Sequence, residues 1–175
     1  MQKFRSGRNI EGSTARRAPP PEALQRAFEA YSSGRLAEGE KLCKGVTASR
    51  PDLFDAWHLL GVIQAAAGKS DNALRSYDRA LALHRDAPEA LTNRGAVLHN
   101  LGRSAQALES YDAALARRPD FVHALTNRGL TLHAMKRLAE ALASYERALA
   151  FNRAMPRRSR AAASSCMNFR GFRRR

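Results

Sequence analysis

Three consecutive stretches of this chain align over 34 residues each without a gap: FDAWHLLGVIQAAAGKSDNALRSYDRALALHRDA (54–87), PEALTNRGAVLHNLGRSAQALESYDAALARRPDF (88–121) and VHALTNRGLTLHAMKRLAEALASYERALAFNRAM (122–155). Gly61, Gly95 and Gly129 fall in register. So do Ala73, Ala107 and Ala141, Tyr77, Tyr111 and Tyr145, and Ala80, Ala114 and Ala148. A period of this size marks a unit that cannot bury its own apolar face and is completed by stacked neighbours. The composition identifies the unit. Ala and Leu dominate the middle, β-branched residues are scarce and aromatics make up 7%, a mixture that loses little on entering helices. Each unit reads as two helical stretches of roughly 14 residues around a short turn at Gly68, Gly102 or Lys136. Small residues at positions 8 and 20 let the paired helices approach. The tyrosine at position 24 and the alanine at 27 share the second helix's inward face.

Residues 20–53 fit the same frame, with Gly34 at the turn and Pro51 near the close. Ala27 stands where glycine is usual, Gly39 where alanine is usual and Cys43 where the aromatic belongs, which describes a degenerate first unit. Pro19, Pro20 and Pro21 set it apart from residues 1–19, a basic arm expected to be disordered, with the prolines extended. Residues 156–175 form a second basic end, also expected to be disordered. The net charge of +14 sits mostly on these ends. Residues 1–19 carry +4 and 156–175 carry +7, leaving +3 on the body.

The pattern resembles the tetratricopeptide repeat (TPR) family: Trp or Leu at position 4, Leu at 7, Gly at 8, Ala at 20, an aromatic at 24, Ala at 27 and Pro at 32. Trp57, Leu60, Gly61, Ala73, Tyr77 and Ala80 carry it in one unit; Leu91, Gly95, Ala107, Tyr111, Ala114 and Pro119 carry it in the next. Arg94 and Arg128 depart from the apolar position 7, and Arg85 and Arg153 replace the closing proline. These departures are expected to loosen individual contacts. The resemblance implies an all-α fold, a right-handed superhelix (α-solenoid) of about four antiparallel hairpins with disordered basic ends, built from units 20–53, 54–87, 88–121 and 122–155. It places Trp57 as a core anchor. TPR arrays usually finish with a further amphipathic helix. Here residues 159–169 offer only Ala161–Ala163, Cys166, Met167 and Phe169 among serines. A partner, a second copy bound through the uncapped last unit, or the rest of a longer array are the alternatives.

In the family, the first helices line a concave groove that grips a peptide. Carried over position by position, that wall takes Asp55, His58, Leu59 and Val62 from the second unit. The third contributes Glu89, Thr92, Asn93, Ala96, His99 and Asn100, and the fourth His123, Thr126, Asn127, Leu130 and His133. Asn93 and Asn127 share position 6 one unit apart. A carboxamide both donates and accepts, so it can hold a peptide backbone irrespective of side chains, or simply bond a neighbouring helix. This is similar to the asparagine ladder of O-linked N-acetylglucosamine transferases. The lysines and arginine of the chaperone-binding carboxylate clamp are absent: positions 2 and 6 hold Pro21 and Gln25, Asp55 and Leu59, Glu89 and Asn93, His123 and Asn127. Acidic C-terminal tails of that kind are therefore disfavoured. His99 and His133 repeat at position 12, about 10 Å apart on adjacent hairpins. That is too far to share a zinc ion at ~2.1 Å, so no metal or other cofactor is expected.

No phosphate-cradling loop, nucleophile motif or metal-ligand spacing is present, so the reading is a non-catalytic scaffold for another protein or peptide. No apolar run is long enough to span a bilayer. The basic start lacks the apolar core of a secretory signal, and the two cysteines make no disulfide framework, so a cytoplasmic location is expected. Arg outnumbers Lys 25 to 5, as in a GC-rich, bacterial-type coding sequence. Two other functions stay open. The L-T-N-R-G texture looks like that preceding bacterial O-linked N-acetylglucosamine transferase-like domains, which would make the chain a fragment without its catalytic part. The Arg-rich ends fit nucleic-acid association by counterion release.

Overall fold

The computed structural model describes residues 21–154. The arm at 1–19 and the tail at 156–175, with the disorder expected of them, lie outside the described residues. Eight helices follow in order: α1 Pro21–Ser32, α2 Leu36–Ser49, α3 Phe54–Ala66, α4 Ser70–Leu83, α5 Pro88–Asn100, α6 Ser104–Arg117, α7 Val122–Ala134 and α8 Leu138–Ala154. They form four antiparallel hairpins, α1/α2, α3/α4, α5/α6 and α7/α8. Each second helix packs on the first helix of the next hairpin. The first helices also pack on one another along the stack, α1 on α3, α3 on α5 and α5 on α7, which makes them the inner layer of an α-solenoid.

All four hairpins turn by the same device. Gly34, Gly68, Gly102 and Lys136 adopt left-handed backbone, with φ of 75, 73, 74 and 62°. In the second hairpin the Gly68 amide donates to the Ala65 carbonyl and the Lys69 amide to that of Gln64. This pair closes the orphan carbonyls at the helix end. The other three hairpins repeat it. Lys136 alone does so with a side chain attached.

Inside a hairpin, glycine is required by what lies opposite. A Cβ at Gly95 would stand 2.6 Å from the Tyr111 ring, and one at Gly61 2.6 Å from that of Tyr77. The tyrosine of the second helix lies flat against the first helix where a side chain is missing. The degenerate hairpin exchanges sizes. Ala27 replaces the glycine, the smaller Cys43 replaces the tyrosine, and Gly39 gives room to Ile63 and to the Ala27 carbonyl. Ala27 and Cys43 are both fully buried, so the unusual composition still yields a packed core.

Two expectations change. Trp57 is only half-buried; it leans on the cluster formed by Leu24, Ala27, Cys43, Val46 and Leu60. Its indole N–H donates to the Pro51 carbonyl at 2.9 Å, so it pins the connection between hairpins rather than anchoring the core. The arginines at position 7 do not loosen contacts. Arg94 donates to Asp78 of the preceding unit at 2.7 Å and to Ser110 of its own second helix at 2.9 Å. Arg128 does the same with Asp112 and Ser144, both at 2.7 Å. Each guanidinium clamps a junction.

The first junction is built differently, because Lys44 stands where Asp78 and Asp112 stand and Leu60 where the arginines stand. There the buried Glu40 carboxylate meets Lys44 at 2.8 Å and Lys69 at 2.6 Å. Gln64 connects Glu40 to the buried Ser76 hydroxyl. The Lys44 and Lys69 ammonium groups hold the Glu40 carboxyl down at about 2, against the opposing effect of burial.

Candidate functional site: the inner wall of the first helices

The inner wall follows from the hairpin geometry. The second helices cover one side of the first helices, leaving α3, α5 and α7 to present their remaining faces along the stack. The wall is not uniform. Leu59 is 0% exposed, packed with Leu24, Ala27, Cys43 and Ile63. It is core and cannot line an accessible groove, because position 6 turns toward the preceding hairpin and is sealed by α1. Thr92 is buried as well, its hydroxyl donating to the Pro88 carbonyl at 2.7 Å; it too leaves the groove set. His58 and Val62 are nearly closed off. Asp55, Glu89, Asn93, Ala96, His99, His123, Thr126 and Asn127 are half-exposed, and Asn100, Leu130 and His133 are open. Access thus increases from α3 to α7.

The polar groups divide into those held by the scaffold and those left to a ligand. The Asn93 carboxamide donates to the His58 ring nitrogen at 3.1 Å, which commits part of it to the junction between the second and third hairpins. His58 lies against Phe54 and Tyr77, with centroids 5.5 and 6.0 Å away. Burial drives its pKa down to about 4, against the Glu89 charge, so the ring is neutral near pH 7. His99 meets the fully buried Thr131 hydroxyl at 3.1 Å, and that hydroxyl also donates to the Asn127 carbonyl. Glu89 is paired with Arg118 at 2.8 Å, and the Arg118 guanidinium rests 3.5 Å above the Phe121 ring. Asp55 is half-buried and burial raises its carboxyl pKa, while the charge of His84 opposes this.

Asn127 differs from Asn93. Position 5 of the preceding unit is Thr92, already bonded to Pro88, so the Asn127 carboxamide has no hydrogen-bond partner among the described residues. It lies on the same helix as Leu130, whose side chain is half uncovered. A free amide beside an open leucine can take a backbone and an apolar side chain of one extended segment.

Among the described residues, no group of three or more His, Cys, Asp or Glu is placed to hold a metal ion, and no helix is long and apolar enough to cross a membrane. The Arg-rich ends on which the nucleic-acid reading rested lie outside the described residues. Sequence reasoning missed the clamp residues Arg94, Asp78, Arg128 and Asp112. The signal was present: the position-7 arginines of the third and fourth units each stand 16 residues after an aspartate.

Two sequence profiles match the chain, one described as Tetratricopeptide repeat over residues 100–156 and one as TPR repeat over 65–102. No curated protein matches it. Among solved structures, a crystal structure of MamA superposes with a TM-score of 0.72 at 21% identity, covering 75% of this chain and 77% of that one. MamA AMB-1 gives 0.66 at 23%, over 78% and 75%. MamA from Desulfovibrio magneticus RS-1 gives 0.68 at 19%, over 74% and 73%. At these identities the likeness is one of fold.

Proposed function

We propose, from the premise that this chain is a tetratricopeptide repeat protein folded as a TPR superhelix, that it is a non-catalytic scaffold holding an extended segment of another protein against α5 and α7. The observation that carries the proposal is the Asn127 carboxamide, without a hydrogen-bond partner among the described residues and next to the open Leu130. Unpaired amides at a solvent-facing wall bind backbone without demanding a sequence, and the adjacent leucine adds preference for an apolar residue. The wall's basic groups do not suit acidic tails, since Arg118 is engaged by Glu89 and His58 is neutral. A cytoplasmic setting belongs to the same proposal, in keeping with a buried, free Cys43.

The test is selection of peptides from a displayed random library on the full chain, followed by affinity measurement with variants. Asn127→Ala and Leu130→Arg should each weaken the selected peptides about tenfold, the equivalent of one lost hydrogen bond or apolar contact. Asn93→Ala should have a smaller effect on binding and a larger one on stability, because Asn93 is tied to His58. Peptides that bind both wall variants as tightly as the parent would end the proposal.

A further inference from the structure

Position 2 of the inner wall carries a carboxylate in two successive hairpins, and the scaffold satisfies only the second of them. Arg118 meets Glu89 at 2.8 Å, and its guanidinium rests 3.5 Å above the Phe121 ring. Glu89 and Arg118 stand at positions 2 and 31 of one hairpin; in the hairpin before it those positions hold Asp55 and His84. The His84 ring stacks on Phe54, with centroids 4.8 Å apart and 16° between the planes. Asp55 is half-buried, yet it has no hydrogen bond or ion pair among the described residues. The nearest equivalents of Arg118 are committed elsewhere: Arg50, at position 31 of the first hairpin, holds Asp52 through two nitrogens, both at 3.0 Å. Taking water from a carboxylate without replacing its hydrogen bonds is costly, and burial accordingly raises the Asp55 carboxyl pKa.

The second hairpin thus keeps the anion and an aromatic surface of the Glu89 arrangement and lacks its guanidinium. We infer that the extended segment taken up by this wall, on the scaffold reading proposed above, supplies it: an arginine seated on Asp55, with its plane against the exposed His84 ring. Arginine suits the place better than lysine. A planar guanidinium bonds a carboxylate through two nitrogens and stacks on a ring at the same time, whereas an ammonium acts as a point charge. Asp55 stands two hairpins from Asn127, about 20 Å away at about one helix diameter per hairpin. An extended chain advances about 3.3 Å per residue, so the arginine lies about six residues from the one that meets Leu130. The segment crosses α5 between the two points.

Selection from a displayed random peptide library on the full chain reads this directly. Bound peptides should share an arginine about six residues from an apolar residue. The same selection on Asp55→Asn, which keeps the shape of the side chain and removes its charge, should return peptides that retain the apolar residue and lose the arginine. With a synthetic peptide of selected sequence, changing its arginine to alanine should weaken binding to the parent about tenfold, and changing it to lysine about threefold. Against Asp55→Asn both losses should shrink to about twofold or less. The peptide changes are read on the parent chain, so they hold whether or not the variant folds. Peptides that bind the parent without preferring arginine overturn the inference and leave the scaffold reading standing, as do equal losses against parent and variant. A library that yields no peptide bound at the wall overturns both.

Discussion

The Asn93 carboxamide donates to the His58 ring across the junction between the second and third hairpins, at 3.1 Å. The bond requires a neutral ring nitrogen, and burial keeps it neutral down to about pH 4. In the unfolded chain the ring protonates near 6.5. Between those values the unfolded state binds the extra proton, so stability is fully present above about pH 6.5, declines as the pH falls through that window and levels off below about 4. The loss attributable to this histidine amounts to about 3 kcal/mol. Urea unfolding at about pH 7 and about pH 4.5 measures it. His58→Gln, which cannot titrate, should show a much shallower decline over that interval; an unchanged slope would assign the pH dependence elsewhere. Glu40 contributes in a separate, more acidic window, its stabilisation being lost only as the pH falls below the ordinary carboxylate value toward about 2.

Arg94 and Asp78 should couple. In a double-mutant cycle with Arg94→Ala and Asp78→Ala, the interaction energy is expected at about 0.5–1 kcal/mol, because the aspartate is more than half exposed and water screens the pair. Arg94→Ala alone should cost more than Asp78→Ala alone, since it also deprives the buried Ser110 hydroxyl of a donor. Additive effects would reduce the clamp to a coincidence of placement.

Two glycine-to-alanine changes should have opposite signs. Gly95→Ala drives a methyl group into the buried Tyr111 ring and should destabilise by about 1–3 kcal/mol. Gly45→Ala, inside α2 with nothing within 4 Å of the new atom, should stabilise by about 0.5–1 kcal/mol through the lower entropy of the unfolded chain. Thermal melts of the two variants beside the parent decide the matter.

Lys136 occupies the left-handed turn position that glycine fills in the other three hairpins. Lys136→Gly relieves the Cβ contact with the backbone and should raise stability by about 1 kcal/mol. Gly102→Lys, the reciprocal change, should lower it by a similar amount. Equal melting temperatures in all three proteins would show that the turn carries no such strain.

Much of this architecture was legible because its causes are local. The in-register glycines and tyrosines announce a ring packed against a bare helix, and the turn glycines announce the reversal of the chain. Helical frame also places a residue on a face. What it does not supply is the depth of that face below its neighbours, which depends on contacts 30 or more residues away. Leu59 and Asn93 share position 6, yet Leu59 is sealed by α1 while Asn93 stays half-open above His58. Trp57 has the family's usual identity but sits where a connection, not the core, receives it. The arginines at position 7 looked like defects against an apolar consensus, because their partners belong to the preceding unit.

The arrangement of the clamps restricts how such a molecule can be lengthened. Each of the last two units carries a guanidinium for its predecessor and a carboxylate for its successor, so copying one of them whole recreates both halves of a junction. The second unit meets the first through Leu60 and the Glu40 network, and offers Asp78 only on its far side. Growth by duplication is therefore open among the later units and closed at the start, and any engineered reordering must keep the first two hairpins together as a single inseparable module.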